Sequence, residues 1–243
     1  MRALLLAAGF GSRLRPLTDH IPKCLVSIHG RPLLGYWLDA LFNDARMERV
    51  LINTHYLHEL VEYFISSSPW RERIDLVYEP DLLGTGGTIL ANSDWFGDGN
   101  FLVAHADNLT DARLSELIGA HQSAPSDNLL TMLAFRTQTP RSCGILELDG
   151  ESRVMAFHEK VMDPPGNLAN GAVYVVSQQV IESIAAHGKS VVDLSTEVIP
   201  WLLPRITAFE HRGFFMDIGS PEALEQARRT FPDFRTAGPD GAI

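Results

Sequence analysis

Apolar and polar residues alternate in blocks along the first half of the chain. Short, mainly apolar runs predict buried strands, which lie at Ala3–Ala7, Val50–Asn53, Ile74–Tyr78 and Phe101–His105. Between them, apolar residues spaced three and four apart predict helices at Pro32–Asn43, Leu57–Ile65, Thr85–Asn92 and Leu114–His121. Strands that alternate with helices are typical of right-handed βαβ units, so this half predicts a parallel sheet flanked by helices.

The second half contains more strand-like segments. Extended structure is predicted at Leu129–Phe135, Gly144–Leu148, Val154–Glu159, Ala172–Val176, Thr207–His211 and Phe214–Asp217, with helices at Gln178–Ala186 and Leu194–Leu203. A last helix is predicted with Ser220 as N-cap and Pro221 as its first residue, running to about Thr230. The whole pattern predicts an α/β fold with a mixed, mostly parallel, Rossmann-like sheet.

Composition and charge narrow the classes of protein. The chain has 243 residues, is 45% hydrophobic and 21% charged, and contains two cysteines, too few for a disulfide framework. No apolar run is long enough to span a membrane, and Leu4–Ala8 lacks a secretory pattern, so we expect a cytoplasmic protein with no membrane partner. The net charge of -10 argues against a nucleic-acid partner, but local cations can still bind a phosphate ligand.

The first predicted strand runs into a loop that combines glycines with basic residues. The loop reads Leu6-Ala7-Ala8-Gly9-Phe10-Gly11-Ser12-Arg13-Leu14, and Pro22-Lys23 follows. Glycines let backbone N–H groups approach an anion closely, and Arg13 and Lys23 add positive charge. A tight turn alone would explain both glycines but would not require Arg13 and Lys23. We interpret the loop as a site for a nucleoside triphosphate.

Two other glycine-loop motifs do not fit this stretch. A dinucleotide fingerprint needs a third glycine where Leu14 stands, and a P-loop needs a Gly-Lys-Ser/Thr run that is not in the sequence. The stretch instead resembles the signature L-A-A-G-x-G-[ST]-R-L-x-P-L-T, then P-K-P-L, of the sugar-1-phosphate nucleotidyltransferases. Cys24 stands where that family usually has proline. The resemblance implies catalytic roles for Arg13 and Lys23, and nucleotide contacts from Leu6, Ala7, Ala8, Gly9, Gly11 and Ser12.

A second glycine-rich turn, Leu83-Gly84-Thr85-Gly86-Gly87-Thr88, opens the third predicted helix. It is similar to the L-G-T-[AG]-G element with which the family contacts the nucleobase. On its own such a turn could equally be structural. In register after the first signature, it implies nucleotide contacts from Gly84, Thr85 and Gly86.

Two acidic residues resemble the metal ligands of the family. Asp107 follows the strand Phe101–His105, in a stretch similar to N-G-D-x-x-x-D, with His105-Ala106 in place of Asn-Gly. Asp217 lies in Phe214-Phe215-Met216-Asp217-Ile218-Gly219, similar to W-x-D-[IV]-G. Mg²⁺ prefers one or two carboxylates with phosphate and water, so we expect Mg²⁺ as cofactor. A turn-capping role for Asp217 is the alternative, and we favour a structural role for Asp111.

Three further motifs resemble the family's sugar contacts. Phe157-His158-Glu159-Lys160 is similar to F-x-E-K-P, Asn170-Gly171 to N-G-[GA], and Cys143-Gly144-Ile145 to a Y-G-V loop. The resemblance implies sugar-phosphate contacts from Gly144, Glu159, Lys160 and Asn170. A solvated ion pair at a strand end is the alternative interpretation of Glu159 and Lys160.

The resemblance covers about residues 1–228. It implies a single nucleotidyltransferase domain over 1–230, with a nucleotide-binding half at about 1–125 and a sugar-binding half at about 126–230. It also implies the nucleotide-diphospho-sugar transferase fold without the hexapeptide repeats of a C-terminal β-helix. We expect residues 231–243, which are poor in apolar residues, to form a loosely ordered tail.

The implied reaction joins an NTP and a sugar 1-phosphate into an NDP-sugar and pyrophosphate. The chain looks most like the heptose- or mannose-1-phosphate guanylyltransferases. N-acetylmuramate-1-phosphate uridylyltransferases are similar in size and stay an alternative, as does a catalytically idle, regulatory NDP-sugar-binding homologue. A homodimer is left open.

Overall fold

The fold comes from a computed structural model, and the structure is described for residues 1–232. Its strands are β1 Arg2–Leu6, β2 Ser27–Ile28, β3 Arg31–Pro32, β4 Val50–Thr54, β5 Ile74–Tyr78, β6 Phe101–His105, β7 Asn108–Thr110, β8 Leu130–Arg136, β9 Gly144–Leu148, β10 Val154–Glu159, β11 Leu168–Val176, β12 Ile206–His211 and β13 Phe215–Asp217. Its α-helices are α1 Leu33–Asp39, α2 His58–Ser66, α3 Gly84–Ala91, α4 Ser93–Phe96, α5 Leu114–Gln122, α6 Gln179–Ala186, α7 Ile199–Leu202 and α8 Pro221–Thr230. One π-helical turn extends α1 over Ala40–Asp44, and another precedes α7 at Leu194–Val198.

A nine-stranded sheet forms the centre of the molecule, in the order β10-β9-β11-β6-β1-β4-β5, with β8 paired to β11 and β12 to β8. Strands β6, β1, β4 and β5 run parallel, whereas β11 is antiparallel to β6. The predicted mixed, mostly parallel α/β sheet is therefore confirmed. The second half adds antiparallel pairs, such as β9 with β10 and β8 with β11, and one parallel pair, β8 with β12.

Both faces of the sheet are buried. In β1, Ala3 and Leu5 face the core layer that includes α1 and α2, and Leu4 faces the layer that includes α6 and α7. A strand covered on both faces reads as a continuous apolar run, which explains why β1 was visible in the sequence. No helix within residues 1–232 is long and apolar enough to cross a bilayer.

Helix α8 closes the fold against a third apolar cluster. Ser220 caps the helix by accepting a hydrogen bond from the Ala223 N–H at 3.2 Å, which confirms the predicted N-cap. Phe231, the first residue of the predicted tail, is buried beside Leu224 and Ile218, so the prediction is wrong at that residue. Residues 233–243 of the predicted tail lie outside the described part of the chain.

Candidate active site

The carboxyl ends of the parallel strands meet at one edge of the sheet and surround a cavity of about 260 Å³. Its walls are formed by residues at or just after the ends of β1, β4, β5 and β6 and by the first residues of α3. The lining residues are Leu6, Ala8, Gly9, Asn53, Glu79, Leu82, Gly84, Thr85, Thr88, His105 and Asp107. Ligands of open α/β sheets bind at this edge. A larger cavity of about 700 Å³ lies between α1 and α2 and contains none of the predicted site residues in its lining.

The two glycines of the first loop have different roles. A Cβ on Gly9 would have no heavy atom within 4 Å, so the backbone there faces open space beside the cavity. Gly11 has a φ of +64°, and a Cβ would lie 2.9 Å from Thr18 Cγ2, so this position requires glycine for the turn itself. Ala7 is held by a hydrogen bond that its N–H donates to Asn53 Oδ1 at 2.8 Å.

Lys23, Asp107 and Asp217 form one cluster. The Lys23 side chain is only 10% exposed, and its ammonium Nζ lies 2.5 Å from Asp107 Oδ2 and 3.1 Å from Asp217 Oδ1. Burial favours the neutral form of the Asp107 carboxyl, but the charge of the Lys23 ammonium and its hydrogen bond outweigh burial and lower the pKa of that carboxyl. The sequence-predicted metal ligands are thus brought together around a single cation.

A short strand that the sequence did not reveal positions this cluster. Strand β7, directly after Asp107, pairs antiparallel with β13, and this register places Asp217 opposite Asn108. The Ile218 N–H donates to the Asp107 carbonyl at 3.1 Å and extends the contact. Two residues that are 110 positions apart in the chain, Asp107 and Asp217, therefore share one site.

Arg13 lies at the outer side of the cluster. Its side chain is 72% exposed, and Nη2 lies 3.6 Å from Asp217 Oδ2. Arg13 and Asp217 line a separate cavity of about 510 Å³, while Asp107 lines the 260 Å³ cavity. The Lys23 cluster therefore stands between two cavities.

The donor set suits a small, hard divalent cation. Carboxylate oxygens from two elements meet at one positive charge, and such cations complete their shell with phosphate and water. Among residues 1–232 there is no group of three or more His, Cys, Asp or Glu side chains arranged to hold a metal, so a cation held by these two carboxylates would need phosphate and water to complete its shell.

Cys24, which stands where the family signature usually has proline, is buried in the core next to Lys23 in the chain. Burial raises the pKa of its thiol to about 12, so the side chain stays uncharged and packs as an apolar residue. The replacement of proline at this position leaves Lys23 in place.

The glycines of the second turn have a packing role. The N–H groups of Gly86 and Gly87 donate to the Val192 carbonyl at 2.8 and 3.1 Å. A Cβ on Gly84 would lie 2.5 Å from that carbonyl oxygen. Glycine is therefore needed for the turn to pack against the backbone of residues 190–192. The Thr85 hydroxyl accepts a hydrogen bond from the Leu194 N–H at 2.7 Å. Gly84 and Thr85 also line the 260 Å³ cavity, whereas Gly86 is not among its lining residues.

The sugar-contact candidates lie on three adjacent strands. Gly144 in β9 pairs with Glu159 in β10, and a Cβ on Gly144 would lie 2.6 Å from Glu159 Oε2. Lys160 forms an ion pair with Glu159 Oε1 at 3.0 Å. Asn170 in β11 donates from Nδ2 to the Tyr174 hydroxyl at 2.7 Å and accepts from the Ala172 N–H at 2.9 Å. The four residues share one end of the sheet, but none lines the 260 Å³ cavity.

Asp111 has structural partners. Its Oδ1 accepts a hydrogen bond from the Phe214 N–H at 2.7 Å and lies 2.7 Å from His211 Nε2. These bonds tie the segment before α5 to the residues just before β13, which agrees with the structural role favoured from the sequence.

A functional candidate that the sequence analysis passed over is Glu79. It follows the carboxyl end of β5, is 4% exposed and lines the 260 Å³ cavity. An acidic residue directly after a buried parallel strand was the signal that could have identified it. Its Oε1 accepts hydrogen bonds from Asn53 Nδ2 at 3.1 Å and from the Thr88 hydroxyl at 2.6 Å, which fix the carboxylate at this edge.

Comparison with known proteins agrees with this architecture. The chain is 34% identical to the mannose-1-phosphate guanylyltransferase of Mycobacterium tuberculosis, over 90% of this chain and 61% of that protein. It is 29% identical to the mannose-1-phosphate guanylyltransferase catalytic subunit beta of Danio rerio, over 98% of this chain and 69% of that protein. The chain therefore spans only part of the length of these relatives.

Solved structures with little sequence identity share the fold. HddC from Yersinia pseudotuberculosis, complexed with GMP-PN, has a TM-score of 0.79 at 24% identity, covering 95% of this chain and 99% of that one. Apo UDP-glucose pyrophosphorylase has a TM-score of 0.81 at 22% identity, covering 96% and 98%. A family model described as Nucleotidyl transferase matches residues 2–233. The chain belongs to the nucleotidyl transferase family.

Proposed function

We propose that the chain transfers a guanylyl group from GTP to a sugar 1-phosphate, mannose or heptose 1-phosphate being the favoured acceptors, and releases pyrophosphate. The observation that carries this proposal is the meeting of Lys23, Asp107 and Asp217 beside a cavity at the carboxyl ends of the parallel strands. Membership of the nucleotidyl transferase family and the guanylyltransferase names of the relatives support it.

In the proposed reaction, an oxygen of the sugar phosphate attacks the α-phosphorus of GTP. A new P–O bond forms, the bond to the oxygen that bridges the α- and β-phosphates breaks, and pyrophosphate leaves with that electron pair. Alignment and charge neutralisation carry such a transfer, with little covalent work from the protein. Lys23 would stabilise charge near the α-phosphorus, and Arg13 would hold the departing pyrophosphate.

The proposed cofactor is Mg²⁺, held by Asp107 and Asp217. When bound, it would neutralise charge on the reacting phosphates. The Lys23 ammonium contacts both carboxylates, which holds Asp107 and Asp217 side by side. The proposed site therefore needs little rearrangement of the strands β7 and β13.

The sugar phosphate is proposed to bind across β9, β10 and β11. The Glu159 carboxylate would accept sugar hydroxyl groups, and Lys160 would pair with the phosphate in place of Glu159. Gly144 would let the backbone approach the sugar, and the Asn170 amide, held by Tyr174, would supply a further polar contact. A cytoplasmic location and a homodimer also remain part of the proposal.

Pyrophosphate release over a matrix of nucleotides and sugar phosphates tests the function directly. The panel is GTP, UTP, dTTP and ATP against mannose, heptose, glucose and N-acetylmuramic acid 1-phosphates, each with Mg²⁺ and with excess EDTA. We expect GTP with mannose or heptose 1-phosphate to give the highest rate, and EDTA to abolish it. Best turnover with UTP would favour a uridylyltransferase, and no turnover with any pair would favour an idle homologue. Undiminished turnover in EDTA would remove the metal from the proposal.

Glu159→Ala is expected to raise the KM for the sugar 1-phosphate about 10-fold or more, since charge-assisted hydrogen bonds would be lost. The KM for GTP should change little because Glu159 does not line the 260 Å³ cavity. Steady-state kinetics with each substrate varied in turn provide the measurement.

Glu147→Ala is the matched control for Glu159→Ala. Glu147 lies on the neighbouring strand β9, where its side chain pairs with His158 Nε2 at 2.6 Å and is half-exposed. Its removal should leave both KM values unchanged. An equal rise of both KM values in Glu159→Ala would mean that Glu159 only supports the sheet.

A further inference from the structure

The chain between α6 and α7 contacts both proposed substrate sites, and the proposed reaction gives it no role. Residues 190–196 are named the bridge segment. Its first part packs against the second glycine turn, where the Gly86 N–H donates to the Val192 carbonyl at 2.8 Å. In return, the Val192 N–H donates to the Leu83 carbonyl at 3.0 Å. These reciprocal bonds hold the backbone of the bridge segment against the turn that is proposed to contact the nucleotide.

Thr85, which lines the 260 Å³ cavity, fixes the next part of the bridge segment. Its hydroxyl accepts a hydrogen bond from the Leu194 N–H at 2.7 Å and donates to Asp193 Oδ2 at 3.4 Å. Asp193 Oδ1 in turn accepts the Thr196 N–H at 2.8 Å and caps the π-helical turn. Ser195 lies between these held residues, so its position depends on the turn beside the nucleotide cavity.

Tyr174 joins Ser195 to the proposed sugar contact. It lies in β11 and is 0% exposed. Its hydroxyl accepts a hydrogen bond from Asn170 Nδ2 at 2.7 Å and is also hydrogen-bonded to the Ser195 side chain. Burial raises the pKa of Tyr174, so the hydroxyl keeps its proton. A phenol has only one proton, and because Asn170 donates to the oxygen, that proton is donated to Ser195.

This bond pattern fixes the orientation of the Asn170 amide. Asn170 Oδ1 accepts the Ala172 N–H at 2.9 Å, so Nδ2 is the group that faces Tyr174. Nδ2 carries two hydrogens, and the structure of residues 1–232 shows one hydrogen bond from it, to Tyr174. Since the amide is planar, this bond sets the direction of the second N–H, which is free to donate to a sugar.

We propose that the bridge segment couples the two substrate sites, with Ser195 and Tyr174 as positioning residues for Asn170; this inference rests on the proposed function. A nucleotide that contacts the turn at Thr85 restrains the bridge segment and, through it, the Asn170 amide. The sugar phosphate then meets a contact that is already oriented, so less freedom is lost on binding. By linkage, the sugar phosphate must tighten nucleotide binding by the same factor.

The affinity for mannose 1-phosphate, measured by calorimetry with Mg²⁺ with and without a GTP analogue, tests the coupling. In the analogue a methylene group replaces the oxygen between the α- and β-phosphates, so no transfer occurs. The wild type should bind mannose 1-phosphate about 10-fold more tightly when the analogue is saturating. In Tyr174→Phe and in Ser195→Ala, this factor should fall about 3- to 10-fold, as expected for a lost hydrogen bond. The affinity for the analogue alone should stay the same, since neither residue lines the 260 Å³ cavity.

Two further variants separate the hydroxyl contacts from general effects. Ser195→Thr keeps the hydroxyl group and should keep the wild-type factor. Tyr36→Phe is the matched control for Tyr174→Phe, because it removes a tyrosine hydroxyl that donates to the Ile28 carbonyl at 3.1 Å in the third apolar cluster. It should also keep the wild-type factor.

The outcomes separate this inference from the proposed function. An unchanged factor in Tyr174→Phe and Ser195→Ala would mean that the metal alone couples the substrates, which overturns the bridge and leaves guanylyl transfer intact. If Tyr174→Phe did not fold, Ser195→Ala, at a half-buried position, would decide alone. Coupled binding that depends on Ser195, without pyrophosphate release from GTP, would overturn the proposed function and support the bridge.

Discussion

Asp107→Asn is expected to lower kcat/KM on the order of 100-fold or more, because it removes one of the two negative charges proposed to hold the cation against the phosphates. Asparagine keeps the shape of the side chain and can still accept the hydrogen bond from Lys23, so the cluster should stay assembled. The melting temperature should therefore change little. Initial rates measured over a range of Mg²⁺ concentrations should show a weaker apparent affinity for the metal.

Asp111→Asn supplies the control for that substitution. Asp111 lies four positions further along the chain and bonds to the Phe214 N–H and His211 and not to Lys23. Removing its charge should alter stability and leave the Mg²⁺ dependence as in the wild type. If Asp107→Asn retained normal turnover and metal dependence, the assignment of Asp107 would be wrong.

The parallel half of the sheet could be predicted because its strands are buried on both faces. Val50–Thr54 is buried throughout and Phe101–His105 in all but its last residue, so each strand begins with a run of consecutive apolar residues that stands out in the sequence. The turn after β1 was also visible, since Gly11 must adopt a positive φ that other residues avoid. Burial on both faces and a positive φ restrict the residue type at single positions, so both can be recognised from the local sequence.

The assembly of the acidic pair could not be derived from spacing. Strand β13 lies within the predicted extended segment Phe214–Asp217, but its partner β7 is only three residues long, and alternation over three residues does not distinguish a strand from a loop. Their pairing is a tertiary contact, which local sequence does not encode. Only the resemblance to a family linked Asp107 with Asp217 before the structure placed them around Lys23.

The second glycine turn illustrates how one pattern serves two purposes. The family resemblance implied a contact between this turn and the base, which stays a prediction, and Gly84 lines the 260 Å³ cavity. The backbone of residues 190–192 lies against the other side of the turn, where a Cβ on Gly87 would come within 2.5 Å of the Ser190 carbonyl oxygen. Because that segment is more than a hundred residues away in the chain, no local pattern could reveal this requirement.

Arg13→Lys should not preserve activity, although it preserves the charge. The arginine guanidinium is a planar fork that can donate to two phosphate oxygens at once, whereas lysine offers a compact point charge. Negative charge grows on the pyrophosphate as its bond to the α-phosphorus breaks, so the lost donor should appear mainly in kcat. We expect a deficit of roughly 100- to 1000-fold, comparable to the loss of a preorganised oxyanion donor.

The position of Arg13 makes this a clean experiment. Its side chain is 72% exposed and its contact with Asp217 is 3.6 Å long, so the substitution should cost little stability. Arg15→Lys is the matched control in the same loop, because Arg15 is also exposed and pairs with Asp19 at 3.2 Å, away from the Lys23 cluster. Steady-state kcat and a thermal melt for both variants provide the comparison. The fold decrease in kcat should be the same for GTP and for any other nucleotide that the enzyme uses, since the proposed contact is with phosphate and not with base. A normal kcat in Arg13→Lys would show that this position supplies only diffuse positive charge, and the forked contact with pyrophosphate would have to be abandoned.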